Sequence, residues 1–206
     1  MSTHEQVVID PEDPALLNAN IAAGARLIVS AVVFLFMSFV FAFFYLRALN
    51  SNHSFLMAHV KPPDGWGVAV LICVLGATAV FEGARRQLRD GTGAAWRLGA
   101  GIATVLALAA VALQAIEYFN LSFGAADGGL ASVFFGFTVV FAIFWLGAAY
   151  WIETLWAQSM RQPTHAAGDV GAPSQVLRPS ADGCVLFLAV MCLVEILAFI
   201  LLYLVK

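Results

Sequence analysis

Polar residues punctuate this chain at long intervals, and between them run five almost unbroken apolar stretches, at residues 26–48, 66–88, 97–120, 130–157 and 183–205. A helix needs about 20 residues to cross the roughly 30 Å of bilayer hydrocarbon, and each stretch is that long. The pattern predicts an all-α fold, a polytopic membrane helix bundle with five transmembrane helices forming a single membrane domain over residues 1–206. The connections are short. Asn50 to Gly65 carries Asn, Ser, His and a Pro62-Pro63 pair, and Gly124 to Gly129 reads as a tight turn between two helices. Residues 158–182, with Pro163, Gly168, Gly171, Pro173 and Pro179, read as the one real linker, and Ser180 or Asp182 as a cap on the last helix.

Composition removes the soluble alternative. The 206 residues are 62% hydrophobic and only 11% charged, where soluble domains carry about 25% charged residues. The net charge of −3 comes with no basic run, which sets aside nucleic acid as a partner. Residues 1–25 form an N-terminal polar segment whose start (His4, Glu5, Asp10, Glu12, Asp13) is acidic where a secretion signal is basic and then apolar, so the first helix is expected to be retained. Cys73, Cys184 and Cys192 lie inside apolar segments without metal-binding spacing and read as small core residues.

Charge also sets an orientation. Arg26, Arg85, Arg86, Arg89, Arg97, Arg161 and Arg178, seven of the ten Lys and Arg residues, fall on one side of five alternating spans, with Arg47, Lys61 and Lys206 on the other. Positive residues near helix ends are retained in the cytoplasm, so the N-terminus and the 158–182 linker are expected inside and the C-terminus outside. Aromatic belts fit, with Tyr45, Trp66, Tyr118 and Tyr203 near the outer boundary and Trp96, Trp151 and Trp156 near the inner one.

Chemistry is sparse within the spans. His4, His53, His59 and His165 all lie outside them, so the chain is a poor holder of haem or copper in the bilayer; no catalytic, cofactor-binding or metal residue is assigned. His53 and His59 read as solvated polar surface. Carboxyls carry more weight, because a charge at mid-bilayer costs at least about 2.5–3.5 kcal/mol on insertion scales. Glu82 lies one turn from Arg85 and Arg86, where a local ion pair satisfies it. Glu153 sits near the inner end of span four among Trp151 and Trp156, within reach of water or a basic neighbour. Gln114 and Glu117 share one face near the outer end of span three, beside Tyr118, and that face is expected to point into protein. Glu195 is the deepest and is expected to be protonated or hydrogen-bonded. Gly99, Gly101, Ala103, Ala107 and Ala110 allow close helix approach on span three. Spans one and four are rich in Phe, walls that could line a lipid-filled cleft or face lipid.

Several of these stretches resemble, over nearly the whole chain, subunit III of haem-copper oxidases in its shorter five-helix bacterial form. Phe41-Ala-Phe-Phe-Tyr-Leu-Arg47 resembles the family's first-helix ending, and Leu113-Gln-Ala-Ile-Glu-Tyr118 its Q-x-x-E-Y signature. Phe134-Phe135 with Thr138 is similar to the start of the fourth helix, and Leu201-Leu-Tyr-Leu204 to the end of the last. There are departures. The Ser-Glu pair of the first helix is replaced near Ala31 and Val32, Phe141 and Phe144 stand where the family has H-x-x-H, and the tryptophan-histidine pair early in the last helix is absent. The resemblance implies a divergent, non-catalytic subunit of a terminal oxidase in the bacterial cytoplasmic membrane. Such a subunit packs beside the haem-copper catalytic subunit I and other oxidase subunits, steadies the complex and carries no redox centre. Haem and copper then belong to partner subunits, while phospholipid is bound in a cleft between the first two helices and the rest. Two alternatives remain open: an accessory subunit of a nitric-oxide-reductase-like or other membrane enzyme complex, and a small proton-coupled transporter using Glu195, Glu117 and Gln114.

Overall fold

The computed structural model describes residues 13–50, 55–57, 59–91, 93–161 and 173–205. Its elements are helices α1 (Pro14–Ala48), α2 (Asp64–Arg89), α3 (Gly93–Phe119), α4 (Gly129–Arg161) and α5 (Pro173–Phe199), the last continued by a π-helical turn, Ile200–Leu204. No strand occurs among the described residues. All five helices are long and apolar enough to cross a membrane, and the chain is a multi-pass α-helical membrane protein.

Two helices start well before the stretches that hydropathy predicts. α1 starts at Pro14, not near residue 26, because Asp13 caps it: its Oδ1 accepts from the Ala15 N–H at 2.9 Å, and proline suits the first helical turn. α5 starts at Pro173, so Ser180 and Asp182 are not its caps but lie inside it, and the helix runs through Pro179 at the loss of one backbone bond. The expected 158–182 linker shrinks accordingly, α4 ending at Arg161, and residues 162–172 lie outside the described residues. Hydropathy measures how much chain sits in lipid, whereas helix length follows caps and propensity.

The helices alternate in direction. α5 packs against α1, α2 and α4, while α3 lies along α2 and α4. α1 packs on α4 and α5 rather than pairing with α2, so the expected division into two first helices and the rest is not the arrangement observed. Small residues let the backbones close. A Cβ on Gly99 would sit 2.8 Å from that of Ala84, joining α3 to α2, and one on Gly183 would sit 3.0 Å from that of Ala25, joining α5 to α1. Phe36 of α1 meets Phe137 of α4 at 5.1 Å between ring centres, and the Trp145 indole of α4 donates to the Ala107 carbonyl of α3 at 3.1 Å. These contacts are buried and take the place that hydrophobic exclusion holds in water.

At one end, which carries Arg47 and Tyr203, the connections fold inward. Phe55 is buried against Phe43, its N–H donates to Asn50 Oδ1 at 3.0 Å, and its carbonyl accepts from the Leu130 N–H at 2.9 Å. The predicted turn before α4 is closed by Asp127, whose Oδ2 accepts from the Gly124 N–H at 2.7 Å, and by Gly128 at φ 115°, a conformation that favours glycine. Tyr203 and Trp96, expected in the aromatic belts, are interior residues: the Trp96 ring meets Phe81 at a tilt, 5.6 Å between centres, between α3 and α2.

Candidate functional site

The polar residues of α3 and α5 converge near the Arg47 end. Gln114 and Glu117 are one turn apart on α3, and Gln114 Nε2 donates to Glu117 Oε2 at 2.6 Å. Glu117 is fully buried, at 0% exposure, and Gln114 is buried beside it. Its other oxygen, Oε1, accepts from the Tyr203 hydroxyl at 2.6 Å. Both bonds are short.

Tyr203 reaches Glu117 because of the π turn. The Val205 N–H donates to the Ile200 carbonyl at 2.9 Å across the wider loop, and Leu201, Leu202 and Tyr203 are buried in succession. A regular α-helix at the edge of a bundle would turn one of three such neighbours outward; single π turns of this kind are frequent at functional sites. The ring stacks on Phe199 at 5.3 Å and meets Phe134 of α4 edge-on at 5.9 Å. It lies over α2 where Gly67 leaves room: a Cβ there would stand 2.6 Å from the ring. Arg47 closes the end of α5 by donating from Nη1 to the Val205 carbonyl at 2.9 Å, one of the carbonyls that a helix end leaves without partners.

Glu195 lies nine residues before Leu204 on α5, about 14 Å along the helix at the usual rise. It is 6% exposed and accepts no hydrogen bond among the described residues. Tyr118 stacks on Phe135 at 5.8 Å and brings its hydroxyl beside Thr138, whose own hydroxyl donates to the Phe134 carbonyl at 2.7 Å. The Tyr118 hydroxyl is buried without a hydrogen bond of good geometry. Of the residues picked out by sequence, Gln114 and Glu117 are joined directly, Tyr118 follows Glu117 on α3, and Glu195 is buried on α5.

Glu82 and Glu153 stand apart. Glu82 receives Arg85 at 2.6 and 2.7 Å and Arg86 at 2.8 Å, the local ion pair expected. What spacing along α2 did not reveal is Asp182 of α5, which accepts from Arg85 at 2.8 Å and from Arg89 at 2.9 Å. Glu153 faces outward from α4 and joins no ion pair among the described residues. His59 lies 4.0 Å from Asp127 with both side chains exposed, and His53 falls outside the described residues. Among the described residues, no group of three or more His, Cys, Asp or Glu is placed to hold a metal ion.

One further feature is a groove of about 600 Å³ between α3 and α4 at the arginine-rich end, lined by Leu98, Ile102, Val105, Trp156 and Met160 with Arg97 among them. Gly101 forms its floor, 3.2 Å from the Trp156 ring at the position of a Cβ.

No family model matches the chain, and no curated protein matches it.

Sequence reasoning missed the partner of Glu117. The usable signal was Tyr203 itself: an intramembrane carboxylate requires a donor, and a tyrosine at the end of an otherwise apolar helix is one of the few available.

Proposed function

We propose that this chain is a non-catalytic, subunit III-like component of a respiratory haem-copper oxidase, lying in the bacterial cytoplasmic membrane with its N-terminus inside and its C-terminus outside. The observation that carries the reading is the meeting of two separated motifs. Gln114 and Glu117 of the Q-x-x-E-Y stretch and Tyr203 of the terminal Leu-Leu-Tyr-Leu stretch, 86 residues from Glu117, form one buried hydrogen-bonded unit. Residues that resemble the family thus serve to lock α3 to α5, a scaffold role.

Two further features support it. None of the described helices carries a histidine, so haem and copper are left to a partner such as the catalytic subunit I. The outward face of α1 (Leu27, Phe34, Phe41) is broadly apolar and suits either lipid or a neighbouring subunit. On this reading the apolar wall of the α3–α4 groove (Leu98, Ile102, Val105) suits part of a lipid acyl chain, with Arg97 and Trp156 on the side of a head group.

The test is isolation from the native membrane in mild detergent through a C-terminal tag, with a reduced-minus-oxidised spectrum and mass spectrometry of what co-elutes. Haem bands arriving with a histidine-rich catalytic chain are expected. A colourless, solitary chain would sink the proposal and favour the second reading, a small proton-coupled transporter, for which buried Glu195 is the specific observation.

A further inference from the structure

We propose that Gln114, Glu117 and Tyr203 form a proton-binding site in which Glu117 takes up one proton on Oε2 and the Gln114 amide turns over to receive it. The inference follows from what each partner can donate or accept. Tyr203 donates to Oε1 and Gln114 stands opposite Oε2, each at 2.6 Å, so Glu117 has one partner on each oxygen and is itself fully buried. A cation in the place of Gln114 could only donate. A glutamine amide carries a donor at Nε2 and an acceptor at Oε1, two groups of nearly equal size, and a half turn about its last side-chain bond lets it accept where it had donated. Carboxylate and carboxylic acid are thereby both satisfied in a dry interior, with Tyr203 donating to Oε1 throughout. The separation at Gln114 suits this dual use: 2.6 Å is short for N–H···O, usually about 2.7–3.2 Å, and ordinary for O–H···O, about 2.5–3.0 Å.

Glu117 lies two residues before Phe119, where α3 ends, so the proton has about 3 Å along the helix axis to travel from the Arg47 end. Each neighbouring element brings its own groups. α1 ends in Arg47, which donates to the Val205 carbonyl, and α2 carries Asp64 one turn before Gly67, the residue under the Tyr203 ring. α4 contributes Phe134 and the neutral hydroxyl of Thr138, α3 adds Tyr118, and α5 carries the buried carboxyl of Glu195. Among the described residues no cation pairs with Glu117, so a proton is what neutralises it. Binding is a simple balance: a proton from water converts the carboxylate to the acid and removes its charge, and release to water restores it. The site is independent of the subunit reading.

Infrared difference spectroscopy of the full chain in lipid nanodiscs, between mildly alkaline and mildly acidic pH, tests it. On acidification the wild type is expected to gain a carboxylic-acid carbonyl stretch that Glu195→Gln also gains and Glu117→Gln does not. That component should shift in heavy water, and it should move in frequency in Gln114→Leu, where the acid O–H has no amide oxygen to meet. Identical acidification spectra for folded wild type and Glu117→Gln overturn the site, since the group then never takes up a proton or never releases one. Loss of the component in Glu195→Gln, or an unmoved component in Gln114→Leu, overturns it as well. Should Glu117→Gln fail to fold, Glu117→Asp takes its place: the shorter arm must move or abolish the component, and an unchanged one is fatal.

Discussion

Tyr203 touches three helices besides its own, through one ring and one hydroxyl. Removing only the hydroxyl, in Tyr203→Phe, leaves Glu117 with a single donor in a dry interior, and a buried polar group left short of a partner costs about 1–3 kcal/mol. A loss of that size is expected in thermal unfolding of the purified chain. Gly67→Ala approaches the same bond from the other side, because its methyl would overlap the tyrosine ring. It should cost about 1–3 kcal/mol, as overpacking does, and combined with Tyr203→Phe it should add less than the sum, since both act through one contact. The Phe-rich span one separates similarly by position. Phe36→Ala should lose about 3–5 kcal/mol as a core truncation, whereas Phe34→Ala should change the isolated chain little, because Phe34 is 79% exposed and Phe36 is 2% exposed. Periodicity alone did not say which phenylalanines face inward, since a helix in lipid is apolar on every side.

Between elements, the arginine-rich end of α2 works as a clasp on α5. Arg85 is largely buried and bonds both Glu82 and Asp182, while Arg86 is exposed and reaches Glu82 alone. Arg85→Gln should therefore destabilise by about 1.5–3 kcal/mol, and Arg86→Gln by only about 0.3–0.5 kcal/mol. Added salt should weaken the Arg86 contribution first, because screening acts on exposed pairs. Chemical denaturation of the two variants at low and high salt measures both. Hydropathy located Glu82 and its local partners, since those lie within one helix. Asp182 was misread as a cap because the start of α5 is decided by sequence-local helix formation beyond the lipid-facing stretch.

For the molecule as a whole, the contacts place the ends of the helices in two layers. Arg85 and Arg89 meet Asp182 at one end, and Arg47 and Tyr203 close the other. The positive excess at the first end predicts that a reporter inserted in the α2–α3 turn at Asp90 and Gly91 will read cytoplasmic, while one fused after α5 will read external. The opposite pattern would reverse the orientation without altering the fold. The same layering sets the groove between α3 and α4 beside the arginine-rich end.

The five spans, their order, the placing of Gln114 and Glu117 on one protein-facing side, and the pairing of Glu82 with its neighbours were all determined by the sequence, because length, composition and spacing within a helix are local properties. The tertiary structure alone decided that α1 packs on α4 and α5, that Asp182 belongs to Arg85, and that Tyr203 completes Glu117 through a π turn. Such contacts join residues dozens of positions apart. In a bilayer the apolar pattern that betrays a buried face in water is missing, so only the closeness of packed backbones and the need to satisfy each polar group select them.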